Sequence, residues 1–330
     1  MHVAELNHYP NTMIEHIKIS TVIPDELSGK RLDQALAILL PEHSRARLQG
    51  WIRNGYVLID KKTMRPRDKI QGGEQVEIQA EAETQISASP ENIPLEIVFE
   101  DEHIIVINKP AGLIVHPGAG NPQHTLMNAL LHHEQQLEQV PRAGIVHRLD
   151  KDTSGLLVIA RTLRSHTALV KQLQARDMHR EYVAIVSGIM TAGGTIDQPI
   201  GRHPKHRTRM AVMKNGRAAT THYRIIKKYR HHTQLQVNLE TGRTHQIRVH
   251  MTWLHYPIIG DPVYGTKKQL VKGMDPKLAS IVTSFPRQAL HARAIQLLHP
   301  QNDESMSWEA PIPEDMTKLI DSLELDAQQQ

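Results

Sequence analysis

Between residues 144 and 160 the chain reads GIVHRLDKDTSGLLVIA, with Asp150 and Asp152 set among Arg148 and Lys151 between two apolar runs. A carboxylate so placed can attack a carbon or remove a proton. It can equally cap a turn or pair with Arg148, and taken alone the residue types favour neither. Other chemistries are easier to exclude. The chain has no cysteine, hence no thiolate nucleophile, no Cys-ligated zinc and no disulfide framework. There is no GxxxxGK[ST] loop, and GAGNPQ puts Gln123 where a dinucleotide fingerprint needs its third glycine. HExxH is absent, and the pairs His132–His133 and His231–His232 are adjacent, so their side chains diverge.

The sharpest rival is the nucleophile motif DxDx[TV] of haloacid dehalogenase-type phosphatases, which DKDTSG nearly matches. Thr153 falls one place early, Ser154 holds its slot, and His147 and Arg148 interrupt the strand that should precede the first acid. Asp152 therefore reads as a turn residue. Asp150 is the candidate for chemistry.

What could this acid meet? Lys+Arg 39 against Asp+Glu 35 leaves a formal charge of only +4, but the cations cluster in HSRARLQGWIRNG, GRHPKHRTRMAVMKNGR and IIKKYRHH. Clustering of this kind predicts a polyanionic partner. No apolar run reaches the roughly 18 residues of a membrane span, and the first 20 residues lack the apolar centre of a signal peptide. A soluble, cytoplasmic protein is expected.

The positioning elements fall into two groups. In KRLDQALAILL, Leu32, Ala35, Leu36 and Leu39 recur at i, i+3, i+4 and i+7, predicting a helix that Pro41 ends. Ser44 is the expected N-cap of a second helix with Leu48, Trp51 and Ile52 inward, closed by Gly55. On it Arg45, Gln49 and Arg53 form a basic ridge. Strands YVLI and QVEIQ follow. Residues 1–18 read as a mobile arm, 19–80 as a small domain, 81–94 as an acidic, Ser/Pro-bearing linker and 95–330 as the catalytic domain. The last holds strand-like runs LEIVFE, HIIVINK, LLVIA, EYVAIVSG, AATTHYRII, TQLQVNLE and RAIQLL, with helices near 124–133, 164–176, 244–254 and 313–324. Without regular βα alternation, these predict an α+β fold on a mixed, largely antiparallel sheet.

Two resemblances add to this reading. RLDQAL, SRARLQGWIRNGYVLID and GGEQVEI resemble the S4-type RNA-binding domain. HRLDKDTSGLLV resembles the catalytic motif of the RNA pseudouridine synthases, and NKPAGLIVHPGAG, REYVAIVSG, TGRTHQIRVHM and HYPIIGDPVYG agree with that family in order. The resemblance spans nearly the whole chain. It implies isomerisation of uridine to its C-glycoside: N1–C1′ breaks, the uracil turns, and C5 joins C1′. No cofactor, metal or nucleotide is implied.

Carried over by motif, Asp150 is the catalytic carboxylate, acting on sugar, on base or on the C2′ proton. Arg243 is its paired cation, and Tyr182 stacks on the uracil. Arg148 enters the RNA near the vacated base; Arg45, Arg53, Lys109 and His116 are the further RNA-binding candidates. The implied partner is large-subunit (23S) rRNA, at the helix 69 stem-loop, met by a monomer with no membrane association. The competing class is a catalytically inactive RNA-binding or ribosome assembly factor. The joint presence of Asp150, Tyr182 and Arg243 argues against it.

Overall fold

The computed structural model describes residues 14–41, 43, 45–83, 89–118, 121–206, 208–265 and 274–328. The chain divides into two units, Met1–Ser87 and Ala88–Gln330. In the first, β1 (Ile14–Val22) lies antiparallel to β3 (Gln75–Glu83), whose other edge carries β2 (Val57–Ile59). Helices α1 (Leu32–Leu39) and α2 (Arg45–Arg53) bury Leu32, Ala35, Leu36, Leu48, Trp51 and Ile52 with Val57, Ile59, Val76 and Ile78. Gly55 ends α2 at φ +77°, a conformation that favours a residue without Cβ.

Three expectations change here. The arm drawn over residues 1–18 is already strand from Ile14, because Ile17 and Ile19 pack on the core while β1 pairs with β3. The acidic stretch from residue 81 continues β3 to Glu83. Its far end joins the second unit: Asn128 donates to the Ser89 carbonyl at 2.8 Å, and Glu91 N–H donates to the Asn128 carbonyl at 3.0 Å. Ser44, the expected N-cap, lies outside the described residues.

The second unit begins with β4 (Ile97–Glu100), β5 (Ile104–Lys109), α3 (Leu126–His133), β6 (Ser154–Ala160), α4 (Leu163–Ala175) and β7 (His179–Ser187). Next come β8 (Gly194–Asp197), β9 (Ile200–Arg202), β10 (Met210–Val212), β11 (Thr220–Lys228), β12 (His232–Leu239) and α5 (Gln246–Trp253). The chain closes with α6 (Pro276–Ser284), β13 (Leu290–Leu298), β14 (Ser305–Glu309) and α7 (Glu314–Gln328). The large sheet runs β4-β5-β6-β13-β7-β12-β11-β8, with β14 on β13. Among the described strands only β6 and β13 pair in parallel, so the α+β, largely antiparallel expectation holds.

Strands β5 and β6 are buried on both faces, which explains the apolar runs over 104–107 and 156–160. Ile105, Ile107, Leu157 and Ile159 pack with α3, α5, α6 and α7. The alternate residues Ile104, Val106, Leu156 and Val158 pack with Leu169 of α4 on the other face. The four expected helices are present. Unforeseen were α6, β8, β14 and the separate β9–β10 hairpin.

Candidate active site

Asp150 follows the buried Leu149 on the loop that leads into β6. Thr153 N–H donates to the Asp150 carbonyl at 3.1 Å, closing a turn that contains Asp152. The turn is fastened from both flanks. From the end of β5, the Lys109 ammonium donates to the carbonyls of Pro110, Leu113 and Lys151 at 2.7, 2.9 and 2.9 Å. From the segment before β13, Arg287 Nη1 donates to the Asp152 carbonyl at 3.2 Å and Gln288 Nε2 to Thr153 Oγ1 at 3.0 Å. Ser154 Oγ meets His291 Nδ1 at 3.0 Å. Gly155 allows the final approach: at φ +115°, an added Cβ would stand 2.2 Å from the Ala292 carbonyl oxygen.

The side chain of Asp150 is oriented by Arg248, in the first turn of α5, whose Nη1 donates to Oδ2 at 3.0 Å. Arg248 is buried, and its other edge forms a fork on Asp261, Nε to Oδ2 at 2.7 Å and Nη2 to Oδ1 at 2.9 Å. Asp261 Oδ1 also accepts from the backbone N–H groups of Val263 and Tyr264, at 2.9 Å each. Burial alone would raise the Asp261 carboxyl. The guanidinium and the two amides overcome that and hold it below the usual carboxylate range. Arg248 is likewise held above its usual range against the cost of burial. The result is a fixed cation with a permanent counter-ion on one side and Asp150 on the other.

A second link approaches Asp150 from His245, which precedes α5 in a left-handed conformation at φ +57°. Its Nε2 stands 3.9 Å from Asp150 Oδ1, and its Nδ1 meets the Tyr264 hydroxyl at 2.8 Å. Tyr264 also accepts from Met210 N–H at 2.8 Å, and burial keeps its phenol protonated. Burial holds His245 below the ordinary imidazole range, with Arg248 and Arg148 adding to it against Asp150 and Asp261.

The expected site residues separate into those brought together and those not. Tyr182 lies in β7 between Val237 and Ala292, and Asp150 is near enough for its charge to add to burial in raising the phenol. Its hydroxyl has no protein partner among the described residues. Arg148 is exposed, and its charge reaches both His116 and His245.

Arg243 does not pair with Asp150. It stands before the turn that starts α5, and its Nε donates to the Ala218 carbonyl at 3.0 Å. Lys109 is not available to phosphate: it is 1% exposed, and its three N–H bonds are used on three carbonyls. His116 is half-buried and pushed down to about 4 by burial together with Arg142 and Arg148, so it carries no charge at neutral pH. In the first unit, Arg45 is bound to the buried Asp33 at 2.7 Å, alongside Gln49 at 2.5 Å, whereas Arg53 is exposed. Sequence reasoning missed Arg248, His245, Asp261 and Tyr264, although both of the motifs that contain them had been singled out.

Asp150 is thus a half-buried, ion-paired carboxylate near the Tyr182 phenol, on a turn clamped from both flanks. The family model for RNA pseudouridylate synthase matches residues 103–253, and that for the S4 domain matches residues 30–76. The chain belongs to the RNA pseudouridylate synthase family. It is 54% identical to "Ribosomal large subunit pseudouridine synthase D" of Xanthomonas campestris over 93% of this chain and 92% of that protein. The Pseudomonas aeruginosa protein of the same name is 53% identical over 95% and 98%, and that of Escherichia coli K12 51% over 95% and 97%. Among solved structures, human RNA Pseudouridylate Synthase Domain Containing 4 shares the fold at a TM-score of 0.54 and 24% identity, covering 69% of this chain and 93% of that one. Among the described residues, no helix is long and apolar enough to cross a membrane.

Proposed function

We propose that the chain converts uridines to pseudouridines in large-subunit (23S) rRNA, in the helix 69 stem-loop, with Asp150 as the reacting carboxylate. The relatives named for the large ribosomal subunit, at 51–54% identity over nearly the full chain, support the rRNA substrate. The single observation that supports the chemistry is the Asp150–Arg248 pair on a turn fixed at both flanks. A carboxylate paired with a fixed cation, and aimed by it, can add to the sugar or base, or take a proton from the sugar.

The target uridine must leave its stack, at a cost of a few kcal/mol that is lowest in a loop. Tyr182 provides a face for the displaced base, and Arg148, exposed two residues before the acid, enters the RNA near the vacated base position and pairs with phosphate. Bond cleavage, turning of the uracil and C–C bond formation all keep the same atoms, so the reaction needs a pocket that excludes water rather than a co-reactant. The enzyme works as a cytoplasmic monomer without a nucleotide cofactor.

The test uses a 23S rRNA transcript carrying tritium at C5 of uridine, with chelator present. Tritium release, with modification mapped to helix 69, is expected. Binding without release would favour the assembly-factor reading, and release from other stem-loops would move the target.

A further inference from the structure

The C-terminal helix reaches the turn of Asp150 through an ion pair that the site described above leaves out. Asp315 stands in the first turn of α7, and the helix behind it is set in the core by Met316, Leu319 and Leu323. Its carboxylate accepts both N–H groups along one edge of the Arg287 guanidinium, Nε to Oδ2 at 2.6 Å and Nη2 to Oδ1 at 2.8 Å. Oδ1 also accepts from the Met316 N–H at 2.8 Å. Burial alone would raise this acid. The guanidinium and the helix amide outweigh it and hold Asp315 below the usual carboxylate range.

The remaining corner of Arg287 fastens the turn. Its Nη1 donates to the carbonyls of Asp152, Gln288 and Leu290 at 3.2, 3.2 and 3.3 Å. One amino group has two hydrogens for these three acceptors, so at least one hydrogen is shared, and every contact is long. The two bonds to Asp315 are short. A guanidinium is planar, so fixing one edge fixes the direction in which the last nitrogen points. The short edge therefore sets the aim of the long one. Arg287 is 5% exposed and has no other ion pair among the described residues, while the Lys109 ammonium is close enough to feel its charge. Without Asp315 it would be a buried cation lacking a counter-ion. The same plan recurs at α5, where Asp261 holds Nε and Nη2 of Arg248 and leaves Nη1 for Asp150. One guanidinium orients the side chain of the acid, and the other holds its backbone turn.

We infer that Asp315 is a positioning residue for the reaction: acting through Arg287, it makes the C-terminal helix the anchor of the turn that carries Asp150. This rests on the isomerase reading above. The contribution is to the rate of the chemical step and not to the capture of RNA.

The test compares Asp315→Asn with Glu314→Gln, which removes the same charge from the same helical turn at a residue paired with Lys318 instead of Arg287. Asn keeps an oxygen for the Met316 amide, so the helix end survives while the fork does not. Rates are taken at saturating 23S rRNA transcript, below the lowest melting point of the set. Single-turnover tritium release by Asp315→Asn should fall roughly 10- to 100-fold, the scale of a misplacement of about 1 Å, with affinity for the transcript within about twofold of wild type. Glu314→Gln keeps the wild-type rate, and Asp315→Glu, which retains a carboxylate, is faster than Asp315→Asn. In an Arg287→Lys background the fork is already absent, so adding Asp315→Asn changes the rate by no more than about twofold. Equal rates for Asp315→Asn and Glu314→Gln, a slowing matched by lost affinity, or additive losses in the Lys background would each overturn the inference. Amide exchange over residues 150–154 is followed in the same proteins without RNA, and it rises in Asp315→Asn but not in Glu314→Gln. No tritium release from the wild type, with that exchange difference present, defeats the isomerase reading and leaves the anchoring of the turn by Asp315 standing.

Discussion

Arg248 is the residue on which the site's electrostatics converge, and Arg248→Met is its most informative perturbation. The change keeps an unbranched apolar stem and removes three charge-assisted hydrogen bonds, one to Asp150 and two to Asp261. Asp261 has no exposed side-chain surface and would keep only the amides of Val263 and Tyr264. Breaking a buried pair from one side costs about 3–5 kcal/mol. For a unit of this size each kcal/mol is about 2–4 °C, so the second unit should melt roughly 6–20 °C lower. The bond to Asp150 is a separate quantity. A hydrogen bond between charged groups contributes about 1.5–3 kcal/mol, so single-turnover tritium release should slow by roughly 10- to 150-fold even well below the new melting point. Arg248→Lys should recover part of the stability and little of the rate, since a point cation cannot serve two carboxylates in a fork. An Arg248→Met protein with wild-type melting and a rate within about threefold of wild type would refute the assignment. So would a larger rate loss from Arg243→Ala than from Arg248→Met at saturating RNA.

Asp150→Asn should bind the transcript and release no tritium, while Asp152→Asn, whose backbone rather than side chain is used by Arg287, should retain most activity; equal loss in both would restore a paired-carboxylate mechanism. Burial pulls the Lys109 ammonium down to about 7, with Asp152 opposing it, whereas an unfolded lysine titrates near 10.4. Between those values the unfolded chain holds the extra proton, so stability relative to Lys109→Met should rise with pH from about 7 to 10, measured by urea midpoints; a gap that narrows over that range contradicts the assignment. Asp33→Ala deprives Arg31, Arg45 and Gln49 of their common acceptor and should destabilise the first unit by about 1–3 kcal/mol in denaturant melts. An unchanged midpoint would make that cluster a surface ornament. Arg53→Ala, by contrast, should leave the midpoint in place and flatten the salt dependence of RNA binding by about 0.7 to 0.9.

Much of this was legible in the sequence because it is local. The spacing of Leu32, Ala35 and Leu36 and of Leu48, Trp51 and Ile52 marks two helix faces, and all six residues are buried. The HRLDKD segment singles out Asp150 because its charges interrupt apolar runs. What the sequence hid depends on where a helix begins. TGRTHQIRVHM offers two arginines five apart, and only the left-handed turn at His245 decides that Arg243 stays outside α5 while Arg248 lies within it. A signal was present: Arg248 sits among the buried Ile247, Val249 and Met251, and a charge in that position demands a buried partner. Lys109 misled because it ends a strand, where lysines usually reach solvent, and its three carbonyl acceptors come from turns that no periodicity records. Strands of three residues, such as β9 and β10, are too short to show alternation at all. For α6 the start signal exists, Asp275 capping Lys277 and Leu278 ahead of Pro276, but it follows a stretch with no apolar repeat.

The position of β13 imposes an order in time. It runs between β6 and β7, although 137 residues separate Ser154 from the His291 that meets it. The sheet of the first unit is complete once residue 83 has been made. The turn that holds Asp150 lacks one of its two flanks until Arg287, Gln288 and His291 have followed. A nascent chain thus acquires its small N-terminal unit early and its chemistry last. Products that stop before residue 287 would keep the HRLDKD segment, Lys109 and Arg248 in full and lack the three residues that fasten the other flank of its turn.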